Sequence, residues 1–268
     1  MKLRNNPTLI TGFILLFLVL FISLFLPIFY KTSPYEINLS KRLSGPILEF
    51  PLGTDGLGRD ALARISFGGR ISLFVGTAVV LISSIIGLIM GLISGWIGKF
   101  FDEIIGRIID ILLAFPGVLL TLSVITFLGP SLLNLILSLS LTGWAGYARM
   151  IRAQVLKLKE LEFILAAKAM GASSSRIIYH HLLPNVLPFL YVQASLGISG
   201  AILAESSLSF LGLGVQPPSP SWGGMIYEGR NYLFENPLLS IFPGIALLIT
   251  ILTFNFIGEG LRKSLKKK

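Results

Sequence analysis

From Ile71 to Gly98 the chain runs 28 residues without a charged side chain. About 20 apolar residues suffice to cross roughly 30 Å of hydrocarbon, where only a helix or a closed barrel satisfies its own backbone. Charge-free runs also extend from Pro7 to Tyr30 and from Ile111 to Tyr147. Composition agrees. Only 13% of the 268 residues are charged, against 53% hydrophobic, and mean hydropathy is +0.82. An ordinary soluble domain carries roughly a quarter charged residues. This chain cannot clothe a water-soluble globule, and it is too apolar to be disordered. The expected class is an all-α polytopic membrane protein.

Six spans are expected. The first is Pro7 to Tyr30; a cleaved signal would have an apolar core of only about 7–15 residues, so a retained anchor is favoured. The second is Ile71 to Gly98. Gly129-Pro130 splits the next apolar stretch into Ile108–Leu128, kinked at Pro116, and Ser131–Ala148. The fifth runs from Val186 to Ser206 and the sixth from Asn236 to Gly258, with a bend expected at Pro243-Gly244. In outline, 1–30 is an anchor, 31–70 an extracytoplasmic segment, 71–258 a five-helix core containing a cytoplasmic segment 151–185, and 259–268 a basic tail.

The formal charge of +9 is distributed between apolar runs rather than along one polar face, which speaks for membrane loops and lipid rather than nucleic acid. Lys2 and Arg4, the six bases between Arg149 and Arg176, and the tail bases Arg262, Lys263, Lys266, Lys267 and Lys268 fall on one side of six spans. The positive-inside rule makes that side the cytoplasm, with both termini in it. The 31–70 segment dissents with six bases and four acids, but at about 40 residues it weighs less in that rule.

Chemistry is sparse. There are no cysteines, and His180 and His181, being adjacent, point to different helix faces, so no metal pair is expected. Gly98-Lys99 lacks the upstream glycine and the following Ser or Thr of a phosphate loop. Glu205 is the one acid well inside an expected span, near the outer end of the fifth. It reads either as a carboxylate paired or snorkelling at a helix end, or as part of a solute path or outer gate. Ser83, Gly87, Gly91 and Gly95, at steps of four, form a small-residue stripe for close helix packing. Gln193, Gly197, Gly200, Ala201 and Ala204 share one broad face of the fifth span, and with Glu205 they are the candidate solute path.

The most informative stretch is Lys157 to Ala172, with apolar Leu161, Leu165 and Met170 among small Ala166, Ala167 and Ala169. It reads as a short amphipathic helix stopped by Gly171, after which Ser173 starts a second helix carrying Arg176. Pro184 and Asn185 are expected to close that second helix before the fifth span. Such a helix-turn-helix between spans suits docking to a cytoplasmic partner.

Ala166-Ala167, Gly171 and Leu183-Pro184 match the EAA-loop pattern of ABC importer permeases. The chain resembles the dipeptide, oligopeptide and nickel branch of that family, and within it the second of the two paired permeases. Three further stretches carry the resemblance: Pro51 to Asp60 (PLGTDGLGRD), Ser207 to Gly214 (SLSFLGLG) and Phe254 to Arg262 (FNFIGEGLR). It spans nearly the whole chain. One position departs: Leu165 stands where the pattern usually has Glu; Glu160 and Glu162 could substitute, although both lie before that turn.

The resemblance implies a type I ABC importer permease fold and a non-catalytic transport subunit in a cytoplasmic (inner) membrane. Its implied partners are a homologous sister permease, two cytoplasmic ATPase subunits that bind ATP and Mg, and an extracytoplasmic solute-binding protein. No cofactor is implied for this chain itself. Leu165, Ala166, Ala167, Gly171, Ala172, Arg176, Leu183 and Pro184 become the ATPase-coupling candidates. The solute class is peptides, nickel or oligosaccharides; the alternative class is an ion-coupled secondary transporter.

Overall fold

Two prolines near the ends of apolar runs decide much of the architecture. The computed structural model describes residues 6–266, so Lys2, Arg4, Lys267 and Lys268 lie outside it. The first helix starts at Pro7, where a missing N–H costs nothing, under an Asn6 cap. It runs as α1 (Pro7–Leu20), a wide π turn (Phe21–Phe25) and α2 (Leu26–Phe29). Pro27 cannot donate to the Ser23 carbonyl four residues back. Arg70 fills the gap: its Nε donates to Ser23 O at 2.8 Å and its Nη2 to Leu24 O at 3.1 Å.

That bond also explains why α3 (Ala61–Ile97) begins ten residues before the expected boundary at 70/71. Asp60 caps it, accepting the Ala63 N–H at 2.8 Å. Arg64 and Arg70, which look like loop charges in sequence, are paired inside the helix with distant groups. The segment before it folds back as turns and a short 3₁₀ helix (Leu39–Lys41), closed by an antiparallel bridge between Thr54 and Asp60.

The expected helix Ile108–Leu128 with a kink at Pro116 is instead two helices meeting at 92°: α4 (Lys99–Ala114) and α5 (Gly117–Leu128). Proline disfavours the helical region for the residue before it. Phe115 is extended (φ −90°, ψ 142°) and Pro116 follows with ψ 116°, so two consecutive residues leave the helix and the chain turns a corner. The element α4 also starts earlier than expected because it is amphipathic. Ile105 and Ile109 pack on Trp144, Ala145 and Ala148, while Asp102 pairs with Arg152 at 2.5 Å.

The remaining elements are α6 (Leu132–Lys159), α7 (Glu162–Ala169), α8 (Ser174–Ile177), α9 (Leu183–Phe210), α10 (Trp222–Gly229) and α11 (Leu238–Lys266). Ser131 and Ser221 cap α6 and α10. The expectation that Pro184 and Asn185 close a helix is corrected. A π turn (Ile178–Leu182) joins α8 to α9, and 174–210 is one helical run. The wider turn accommodates the proline, which sits in the first turn of α9. The sixth expected span likewise runs through Pro243-Gly244 as one helix and continues into the tail, so 259–266 is helical.

Helix α3 packs along α6, α1 along α11, and α9 between α3 and α11, with α10 wedged against α9 and α11. The main apolar core lies at the α3–α6–α9 junction, around Val75, Leu135, Ile151 and Val186. Among the described residues four helical runs are long and apolar enough to cross a membrane (7–29, 61–97, 174–210, 238–265), and the bent pair α4–α5 would make a fifth. The expected span Ser131–Ala148 falls within α6, where Ser138, Ser140, Thr142, Gly143 and Gly146 dilute the apolar run.

Candidate functional site

Two features at one end of the bundle and along its middle hold most of the candidate residues. The first is the knob formed by α7 and α8. Gly171 stands at φ +77°, the left-handed region open to glycine. Its N–H donates to Lys168 O, and the next N–H, from Ala172, donates to Ala167 O, both at 3.0 Å. These two bonds make a Schellman stop, which satisfies the last carbonyls of α7. Ser173 then accepts the Arg176 N–H at 3.3 Å and starts α8.

Buried Ile164, Ala167, Ile177 and Leu182 seat the knob on the core. Lys159 and Lys168 lie over the Trp96 ring at the end of α3, the latter at 4.7 Å from its centroid. The outer face is apolar and bare: Leu165 is 50% exposed, Tyr179 68% and Met170 82%. Ala166, Gly171, Arg176 and Pro184 are exposed beside them, while Ala172 and Leu183 are half-buried. Glu160 and Glu162 are exposed as well, Glu162 in the first turn of α7.

The second feature is a cavity of about 370 Å³ along the middle of the chain. The stripe on α3 sets its back wall by bringing α6 close. A side chain on Gly91 would place Cβ 2.7 Å from Ile151 Cβ and 2.8 Å from Ala148 O; on Gly95 it would lie 2.8 Å from Val155 Cβ. Gly87 abuts Tyr147 in the same way, and Ser83 Oγ donates to Ser140 O at 3.4 Å. Sequence left open whether this stripe meets a helix of the same chain; its partner here is α6.

Gln193, Gly197, Ala201 and Ala204 on α9 line this cavity together. Two other candidates do not. Gly200 is exposed with open space around it, outside the lining. Glu205 is turned away from the cavity and fully buried, so it neither snorkels nor stands at a mouth. Its carboxylate accepts hydroxyls from Ser72 at 3.0 Å, Ser206 at 3.2 Å and Ser209 at 2.8 Å, tying α9 to α3. The reason is long-range: Ser72 lies 133 residues away in sequence.

Sequence reasoning missed Tyr147, Thr121 and Thr142, which line the opposite wall with Phe115 from the α4–α5 corner. Thr121 and Thr142 hydroxyls approach to 3.3 Å, and the Tyr147 hydroxyl lies over Gly197, where any Cβ would overlap it. The only signal for them was polar spacing in an uncharged helix. No charged side chain lines the cavity.

Comparisons agree with this architecture. Residues 83–268 match the family described as the binding-protein-dependent transport system inner membrane component. A dipeptide transport system permease protein (DppC) from Alkalihalophilus pseudofirmus is 43% identical over 267 residues, covering 100% of this chain and 88% of that protein. A probable D,D-dipeptide transport system permease protein from Escherichia coli is 40% identical, covering 99% and 89%. A glutathione transport system permease protein from Pectobacterium atrosepticum is 40% identical, covering 84% and 74%. Among solved structures, a chain of the inward-facing MetNI methionine ABC transporter superposes with a TM-score of 0.63 at 21% identity, covering 75% of this chain and 96% of that one; it shares the fold. This chain is a multi-pass transport subunit, and it belongs to the binding-protein-dependent transport system inner membrane component family of ABC importer permeases.

Proposed function

We propose that this chain forms half of a translocation pathway for dipeptides or closely related short peptides, with both termini and the α7–α8 knob in the cytoplasm. In this reading the chain crosses the membrane six times, α6 and the bent pair α4–α5 included, and a sister permease closes the open side of the 370 Å³ cavity. Two ATPase subunits, which would hold ATP and Mg, seat on the exposed face around Leu165, Met170 and Tyr179. A solute-binding protein delivers peptide at the opposite end. Leu165 in place of Glu makes that seat apolar at its centre.

One observation carries the reading. The helical run 174–210 starts in the knob and ends beyond the cavity, so the docking element and the lining residues Gln193, Gly197 and Ala201 share one continuous helix. A displacement at the knob therefore reaches the cavity without crossing a loop. The ion-coupled alternative would need acidic or basic side chains facing the solute, and the residues lining the cavity include no Asp, Glu, His, Lys or Arg.

The test is Gly171→Val in the reconstituted importer. Nothing lies within 4 Å of a Cβ built at Gly171, so the substitution is strained only through φ +77°, at about 1–2 kcal/mol. Expected are normal insertion and normal pairing with the sister permease, together with lost peptide uptake and ATP hydrolysis that no longer responds to loaded binding protein. Wild-type uptake and stimulation in this variant would remove the knob from the coupling role.

A further inference from the structure

The end of the bundle away from the knob holds a second cavity, of about 310 Å³, between the turn 55–59, the start of α3, α10 and the 230–232 turn. It is built on the PLGTDGLGRD motif, which the transport reading leaves without a role. Asp55 organises the turn: its Oδ1 accepts the N–H groups of Leu57 at 2.9 Å and Arg59 at 3.0 Å, and its Oδ2 accepts Arg59 Nε at 2.7 Å. Arg64 reaches the same carboxylate, with Nε 3.4 Å from Oδ2. Glu228, brought in by α10, accepts Nη2 of both arginines at 2.8 Å.

The charges do not balance where they are buried. The side chains of Arg64 and Arg59 are 2% and 8% exposed, and Asp55 is 12% exposed, whereas Glu228 stands at the wall with 36% exposed. Two further arginines flank the site, Arg230 over the Tyr227 ring at 4.1 Å and Arg42 over the Tyr232 ring at 5.7 Å. Both tyrosines line the cavity, and neither arginine is in an ion pair among the described residues. Two guanidinium groups thus share two carboxylates, and two further arginines stack on the flanking tyrosines. Arg64 is one of the residues lining this cavity, and two of its guanidinium nitrogens, Nε and Nη1, are buried with no hydrogen-bond partner.

A buried donor on a charged group is costly to leave unmade, and a guanidinium is shaped to take a planar carboxylate. Volume places the cavity at the small end of ligand sites, and Met225, Leu239 and the two tyrosines offer an apolar wall. We propose that this cavity is a binding subsite for a small organic carboxylate, whose oxygens take up Arg64 Nη1 and compete with Glu228 for the arginine pair. The site is defined without reference to ATP or to transport, so it stands apart from the coupling reading above.

The experiment uses the assembled importer in detergent, without nucleotide or binding protein. N-acetylalanine is titrated by calorimetry against N-acetylalaninamide, the same molecule without the carboxylate, at constant ionic strength. The acid is expected to bind and the amide is not. Arg64→Gln should weaken acid binding by about tenfold or more. Because a buried arginine variant can fail to assemble, Glu228→Gln provides the second measurement: removing the competing carboxylate should tighten acid binding several-fold, whereas a purely structural ion-pair cluster predicts no acid binding in any variant. Equal binding of acid and amide overturns the proposal. So does the absence of acid binding in both the wild type and Glu228→Gln.

Discussion

Replacing Gly91 with alanine tests the α3–α6 contact on which the cavity wall depends. The added Cβ would sit 2.7 Å from Ile151 Cβ, 2.8 Å from Ala148 O and 2.9 Å from Ile151 Cγ2. Carbon contacts are comfortable at about 3.5–4.0 Å, so the helices must separate by about 1 Å near this point. A gap of that size forfeits roughly a quarter to a half of each neighbouring dispersion contact, and overpacking of this kind typically costs about 1–3 kcal/mol. The control is Gly200→Ala. It is also a helix-interior glycine, but a Cβ there meets nothing within 4 Å, so relief of glycine's entropy should make it neutral or stabilising by up to about 1 kcal/mol. Thermal unfolding of the purified complex reads both. Gly91→Leu, with three more carbons at the same place, should abolish assembly. If Gly91→Ala is as mild as Gly200→Ala, the close approach of α3 and α6 is not what holds this wall.

Three further outcomes follow from the geometry. Single cysteines placed in this cysteine-free chain should react with a water-soluble thiol reagent at Gln193 and Ala204 but not at Val192 or Ile198; uniform protection along α9 would count against a solute-facing cavity. Glu205→Ala strands the hydroxyls of Ser72, Ser206 and Ser209 and should lower the unfolding midpoint well beyond Glu205→Gln, at about 2–5 kcal/mol; equal effects of the two variants would mean the carboxylate's acceptor oxygens do not matter. Burial, with a hydrogen bond to Asp60, pushes the Tyr30 hydroxyl up to about 12. A folded value above the unfolded value of about 10 means its contribution is complete below pH 10 and is lost as pH rises through 12. Alkaline absorbance titration of wild type minus Tyr30→Phe should show that phenolate only near pH 12, and ordinary titration near 10 would sever the Tyr30–Asp60 link.

Local signals were legible in the sequence. Gly171 stops α7 because a left-handed cap needs glycine, and Ser173 caps the helix that follows it. The four-residue stripe on α3 is a property of one helix, so its existence was readable, although its partner was not. What escaped were decisions taken by distant groups. Arg64 looks like an extracytoplasmic loop charge until Glu228, 164 residues away, accepts it into a helix. Glu205 looks like a pore acid until Ser72 closes over it. Prolines were misread in both directions, since Pro116 breaks its helix outright where a kink was expected, and Pro184 breaks nothing because a π turn precedes it. A proline states which hydrogen bond is missing. Whether the chain bends, breaks or widens around that gap depends on what else can reach the orphan carbonyl, as Arg70 does for Ser23.

The two ends of the bundle solve opposite problems. At the far end, arginines and carboxylates are drawn inside and neutralise most of one another, leaving two Arg64 nitrogens without a hydrogen-bond partner. At the knob, apolar side chains are left outside. Leu161, Phe163, Leu165, Met170 and Tyr179 are all more than one-third exposed on one short helical hairpin. Lipid is a poor cover for them, because Lys159, Lys168 and Arg176 stand among these side chains and would have to be dragged into hydrocarbon. Water is a poor cover as well, since contiguous apolar patches of this kind are rare on soluble faces and mark places where another protein sits. The Schellman stop at Gly171 and the Trp96–lysine stack keep this surface in a fixed shape instead of letting it collapse onto the membrane. This apolar face with its cationic border is continuous with the helix that lines the cavity, which is the geometry the proposed coupling role requires.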